Sequence, residues 1–92
     1  MSNVIQIYFL YAKNCLDCEK AKKAVNQAIF QSGIDCSLKM FNVEDRVAIN
    51  IAIKNNVDDI PACIVGNGGY VLQSNQIRVD SVLLAIEKAK SC

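Results

Sequence analysis

Five cysteines and no histidine limit the chemistry open to this 92-residue chain. They are Cys15, Cys18, Cys36, Cys63 and Cys92, and only the first two form a Cys-x-x-Cys pair, Cys15-Leu16-Asp17-Cys18. Thiolate, not thiol, is the nucleophile and the metal ligand, so such a pair can be redox-active or metal-binding. Two small residues that simply pack are the plain alternative. The missing imidazole removes Cys/His zinc patterns, and with them the serine-protease and papain-type arrangements that need a histidine base. A closed all-thiolate zinc site takes four ligands, and the second Cys-x-x-Cys of a zinc ribbon is absent. An odd cysteine count with no basic leader ahead of Val4 does not read as a secreted disulfide framework, so a cytoplasmic location is expected.

The surrounding pattern determines how the pair is presented. Val4 to Ala12 is a nearly continuous apolar, β-branched and aromatic run, suited to a strand covered on both faces. Lys13-Asn14-Cys15 follows as a turn. From Leu16 to about Ser32 the period becomes helical, with Cys18, Ala21, Val25, Ala28 and Ile29 on one face and Gly33 at the C-cap. Cys15 therefore stands at a helix N-terminus, where unpaired N–H groups and the macrodipole favour an anion. Cys18, three residues on, lies within disulfide reach and on the buried stripe. The geometry implies an exposed attacking thiol and a more buried resolving one. Lys13 and Lys20 would add positive potential, while Asp17 and Glu19 would oppose it.

Further along, Asp35 to Phe41 reads as a second strand. Asn42-Val43-Glu44-Asp45 is expected to start a short helix, with Asn42 as N-cap and the acids in its first turn, ending near Asn55-Asn56. Asp58-Asp59-Ile60-Pro61 is a loop that holds the only proline. Ala62 to Val65 and Tyr70 to Gln73 are strands joined by Gly66-Asn67-Gly68-Gly69. Asp80 is expected to cap a last helix that Val79 and Leu84 staple and whose core stripe is Val82, Leu83, Ile86 and Ala89. The order β-α-β-α-β-β-α predicts an α/β fold: one domain over residues 1–92, built on a four-stranded mixed sheet with helices on both faces.

Composition narrows the function classes. Hydrophobic residues make up 52% and charged residues 21%, which argues against disorder. A net charge of +1 supplies no basic field for general nucleic-acid binding. The apolar runs fall far short of the roughly 20 residues a membrane span needs.

The strand–Cys-x-x-Cys–helix placement, Ile60-Pro61 ahead of a glycine-containing hairpin, and the element order together resemble the thioredoxin/glutaredoxin superfamily. The likeness is greatest to its small archaeal and bacterial redox-active disulfide proteins, with Val79-Asp80-Ser81 starting the final helix. The resemblance implies a thioredoxin-like fold and a thiol–disulfide oxidoreductase in which Cys15 attacks and Cys18 resolves. It also implies that Pro61 is a cis-proline and that Ile60 presents its backbone to an extended substrate segment. From the residues alone, Pro61 could equally be a trans proline that starts an edge strand. Leu16 and Asp17, between the cysteines, are expected to touch the substrate, Leu16 as an apolar contact and Asp17 in an acidic rim with Asp58 and Asp59. Several positions depart from the family pattern. Asn14 and Leu16-Asp17 replace the tryptophan and Gly-Pro of thioredoxins, the first strand carries no carboxylate, and Ser74-Asn75-Gln76-Ile77 does not reproduce the glutathione-gripping segment of glutaredoxins.

No cofactor and no metal are expected within the chain. The expected partners are disulfide-containing proteins and a separate reductase or low-molecular-weight thiol, met by a monomer without nucleic acid or membrane. Two alternatives from other classes stand beside this: a thioredoxin-fold binding module with a vestigial or regulatory pair, and metal or iron–sulfur binding through Cys15 and Cys18 with outside ligands. Cys36 and Cys92 are expected to be passenger thiols. Cys63, two residues after Pro61, is expected to be a small core residue, the alternative being a third thiolate near the pair that assists metal or cluster binding.

Overall fold

The computed structural model describes residues 4–66 and 69–91. Four strands form one sheet: β1 (Ile5–Tyr11), β2 (Cys36–Asn42), β3 (Ala62–Val65) and β4 (Tyr70–Gln73), in the spatial order β2-β1-β3-β4. β1 pairs in parallel with β2 and antiparallel with β3, which in turn pairs antiparallel with β4. The helices are α1 (Leu16–Ser32), α2 (Arg46–Lys54) and α3 (Val79–Ser91), and a 3-10 turn at Ser74–Gln76 precedes α3. The order and the mixed sheet are those expected from the sequence.

The two-residue period of a strand divides the core between two faces. Ile7 and Phe9 of β1 and Cys63 and Val65 of β3 turn toward α1 and α3, where Ala21, Val25, Ala28, Val82 and Ile86 meet them. Tyr8 and Leu10 of β1 and Ala62 and Ile64 of β3 turn the other way, against Ala48, Ile51 and Ala52 of α2. On that face Tyr8 and Phe41 meet edge to face with centroids 5.5 Å apart. With helices on both sides, β1 can be apolar almost throughout, and its Ile7, Phe9 and Leu10 are buried.

Helix ends bear out one local expectation and correct three. Gly33 takes the left-handed C-cap conformation at φ 65°, and its N–H donates to the Phe30 carbonyl. Asn42, however, belongs to β2, and its Oδ1 accepts from the Glu44 N–H at 2.9 Å within the turn. Asp45 is the N-cap of α2, whose first turn holds no acid. The β2 pairing, Tyr11 opposite Asn42, outcompetes the capping preference of that asparagine. In α3, Asp80 lies inside the first turn and accepts from the Ser81 N–H at 2.9 Å, rather than preceding the helix. Leu84 is 52% exposed, so no staple with Val79 forms. Ala85 joins Val82 and Ile86 in the core, and Leu83 and Ala89 pack at its margin. Of the expected hairpin turn, Asn67 and Gly68 lie outside the described residues.

Candidate active site

β1 delivers the chain to the cysteine pair. Asn14 turns the backbone at φ 55°, a left-handed conformation that asparagine tolerates better than most residues. Cys15 is then the N-cap of α1, in extended conformation, and its carbonyl accepts from the Glu19 N–H at 3.2 Å. Its Sγ takes the place of the usual capping oxygen and accepts from the Cys18 N–H at 3.1 Å. Cys15 and Cys18 form a disulfide, with Cα atoms 5.1 Å apart. Cys15 is half-buried, whereas Cys18 is 4% exposed. One sulfur is open to a partner and the other is shielded by the sheet and helix.

A cleft of about 370 Å³ lies beside the pair, lined by Phe9, Tyr11, Lys13, Glu19, Lys22 and Met40 among others. Lys13 stands there as expected. Lys22, not Lys20, is the second lysine, because positions 18 and 22 share a helix face and position 20 does not. Among the described residues no charged or polar side chain is buried, so no interior carboxylate stands behind the pair. Stabilisation of a Cys15 thiolate therefore falls to the α1 N-terminus, through the Cys18 N–H and the macrodipole, helped by Lys13 and Lys22. Asp17 and Glu19 in the first turn work against it. Among the described residues, no group of three or more His, Cys, Asp or Glu side chains is placed to hold a metal ion.

The Ile60–Pro61 loop meets the same end of the sheet. Leu10, near the end of β1, faces Ala62, the first residue of β3, and Pro61 directly precedes it. The Ile60–Pro61 peptide bond is cis. Pro61 is buried, and Ile60 is 36% exposed. Leu16, 74% exposed, projects from the first turn of α1 beside exposed Asp17. Asp58 and Asp59 flank a separate apolar groove of about 270 Å³ floored by Ile49, Ile53 and Ile60, while Asp17 stays on the α1 side. The sequence pattern alone does not mark Lys22, Met40 or Gln73, the last of which ties down the proline loop. The one signal for Lys22 is its spacing, four residues from Cys18.

The other thiols are placed differently. Cys63 faces the α1/α3 core, fully buried, and burial pushes its thiol from an ordinary 9.0 up to about 12. Cys36 sits half-exposed on β2, its pKa raised by partial burial and by Asp35. Both are free thiols, and Cys92 lies outside the described residues. Cys63 has a consequence for alkaline stability. The unfolded chain releases this proton above about 9 and the folded chain keeps it until about 12, so its contribution is full below the first value and is lost as pH rises toward the second. With Cys15–Cys18 oxidised, Cys63→Ala should show a smaller drop in denaturant midpoint than wild type between about pH 8.5 and about pH 10.5. Equal drops would contradict this reading of Cys63.

No family model and no curated protein matches the chain. Solved structures do. An uncharacterised thioredoxin-like protein from Clostridium perfringens superposes with a TM-score of 0.74 at 16% identity, over 97% of this chain and 73% of that one. Thioredoxin-2, a component of the malaria parasite protein secretion machinery, gives 0.69 at 18% identity, over 96% of this chain and 85% of its own. The oxidised thioredoxin of Plasmodium falciparum gives 0.65 at 17% identity, over 91% and 79%. At these identities the likeness is one of fold, and the fold is that of thioredoxins. A Cys-x-x-Cys disulfide at the head of α1 in that fold supports thiol–disulfide oxidoreductase activity.

Proposed function

We propose that this chain passes two electrons to partner disulfides, with Cys15 attacking and Cys18 resolving. The observation that carries the proposal is the asymmetric pair: a half-buried sulfur capping α1, disulfide-bonded to a shielded one. In the reduced protein the Cys15 thiolate attacks one sulfur of a partner disulfide. That S–S bond breaks, one partner thiolate leaves and takes up a proton, and a Cys15–partner mixed disulfide remains. Cys18 then gives up its proton and attacks Cys15 Sγ, breaking the mixed disulfide. The partner's second thiol is released and the Cys15–Cys18 bond forms. A dithiol reductase or a low-molecular-weight thiol returns the two electrons.

Leu16, Asp17, Ile60 and Pro61 receive the partner segment. Exposed Leu16 offers an apolar contact beside the attacking sulfur, and Ile60, itself part-exposed, offers its backbone to an extended chain in this reading. The domain spans residues 1–92, a reading supported by a single sheet that draws strands from both halves of the sequence. It acts as a monomer, and its place is the cytoplasm, which the free thiols of Cys36 and Cys63 favour. No helix of the described residues is long and apolar enough to cross a membrane. The small archaeal and bacterial redox-active disulfide proteins are the branch we assign, on the strength of Val79-Asp80-Ser81 at the start of α3.

Trapping tests the proposal. Cys18→Ser can form the mixed disulfide but cannot resolve it, so incubation with an oxidised protein such as insulin should leave a dithiothreitol-sensitive adduct on Cys15. Absence of any adduct, or adducts confined to Cys36, would contradict it.

A further inference from the structure

The loop that carries Ile60 and Pro61 lies between α2 and β3 and makes no strand pairing of its own. The first N–H groups after α2, those of Asn55, Asn56 and Val57, donate back to helix carbonyls, and proline has no N–H, so the donors next to the proline are those of Asp58, Asp59 and Ile60. Asp58 and Asp59 both donate to a single atom, Gln73 Oε1, each at 2.9 Å. The Ile60 N–H turns to the carboxylate of its own neighbour, Asp59 Oδ1, at 2.9 Å. A second strap crosses at the proline itself, where the Ser74 N–H donates to the Pro61 carbonyl at 2.7 Å. Gln73 is in turn held, since its N–H donates to Gln76 Oε1 at 2.9 Å and it stands opposite Ala62 in the β3–β4 ladder.

We propose that Gln73 is a positioning residue for the proposed disulfide exchange: its side-chain amide oxygen clamps the Asp58–Asp59 backbone and so presents Ile60 and Pro61 to a protein partner. Gln73 touches neither sulfur and takes no part in the exchange itself. Its action is confined to partners that lie along the loop. A small disulfide that reaches Cys15 alone gains nothing from it. The chemistry suits glutamine, because one sp² oxygen has two lone pairs and can accept from two adjacent N–H groups. The inference rests on the oxidoreductase reading, and the two can fail separately.

Two substitutions separate the clamp from general structure. Gln73→Met keeps the length and removes the acceptor, and Gln73→Glu keeps the acceptor. In Gln73→Met the Asp58 and Asp59 amides should exchange faster with water, read by NMR. Its KM for insulin should rise about 5- to 10-fold with kcat changed less than about twofold, and its rate with the small aromatic disulfide DTNB should stay as in wild type. Gln73→Glu should return most of both the exchange protection and the KM. Unchanged exchange at Asp58 and Asp59 in Gln73→Met would overturn the clamp. Faster exchange with an unchanged insulin KM, or equal losses with insulin and DTNB, would overturn the positioning role. A wild-type chain that reduces neither disulfide overturns the oxidoreductase reading and the positioning role with it, while the exchange rates still decide the clamp.

Discussion

Cys15→Ser should lower disulfide reduction by about 1000-fold or more, because a serine hydroxyl is almost wholly protonated at neutral pH and forms no mixed disulfide. The fold should survive. Cys15 caps α1 through a side-chain acceptor, and serine is among the preferred N-cap residues, so the Cys18 N–H keeps a partner. The companion variants give the loss its meaning. Cys36→Ser, on the half-exposed strand β2, should leave the rate unchanged. Cys18→Ser should give a single attack without release. A rate loss shared equally by Cys15→Ser and Cys36→Ser would point to general damage instead of a lost nucleophile. The measurement is insulin reduction with thiol counting, alongside the thermal midpoint of each oxidised or substituted chain.

The second large effect is on stability. Phe9 is 1% exposed in the middle of β1, opposite Met40 on β2 and Cys63 on β3, and packs against α1 and α3. Phe9→Ala removes most of a buried ring and leaves a cavity that strands fixed on both sides cannot close, at a cost of about 3–5 kcal/mol. Domains of this size have about 5–15 kcal/mol in all, so the loss is a large share. The thermal midpoint should fall by roughly 4–8 °C per kcal/mol. Phe30→Ala is the counterpart: Phe30 is 87% exposed, and its replacement should shift stability by less than about 0.5 kcal/mol. Denaturant titrations of the two variants give the comparison. Similar midpoints for both would contradict the placement of Phe9 at the centre of the larger core. Phe9 also lines the cleft beside the cysteines, so the variant should lose activity as the site loosens.

Features with one dominant physical cause were readable in the sequence. An apolar run too long for a one-faced strand indicated β1 between two layers. The period of Cys18, Ala21, Val25 and Ala28 indicated the buried side of α1, and Gly33 marked its end. The same periodicity placed Cys18 inward, and the start of the helix after Cys15 left that thiol at its open end. Where two local preferences competed, the tertiary outcome was not readable. Asn42 is a good cap and also a strand end, and parallel pairing with Tyr11 decided between them. Val79 and Leu84 suited a staple only if α3 began after Val79, and it begins at Val79. Lys20 and Lys22 look alike in composition, and only their azimuth on α1 separates them. Gln73 carried no signal at all, because its partners, Asp58 and Asp59, are 15 and 14 residues away in sequence and meet it only once β3 and β4 pair.

An electron balance on the cysteine pair shows whether Cys15 and Cys18 exchange electrons with a partner disulfide. Fully reduced protein is mixed with a slight excess of oxidised insulin, quenched with an alkylating agent, and mapped by peptide mass. Each insulin disulfide opened should be matched by one Cys15–Cys18 disulfide formed, with Cys36 and Cys63 still carrying their thiols. Insulin that stays oxidised while Cys15 and Cys18 stay reduced, or electrons drawn from Cys36 or Cys63, would contradict exchange through the Cys15–Cys18 pair.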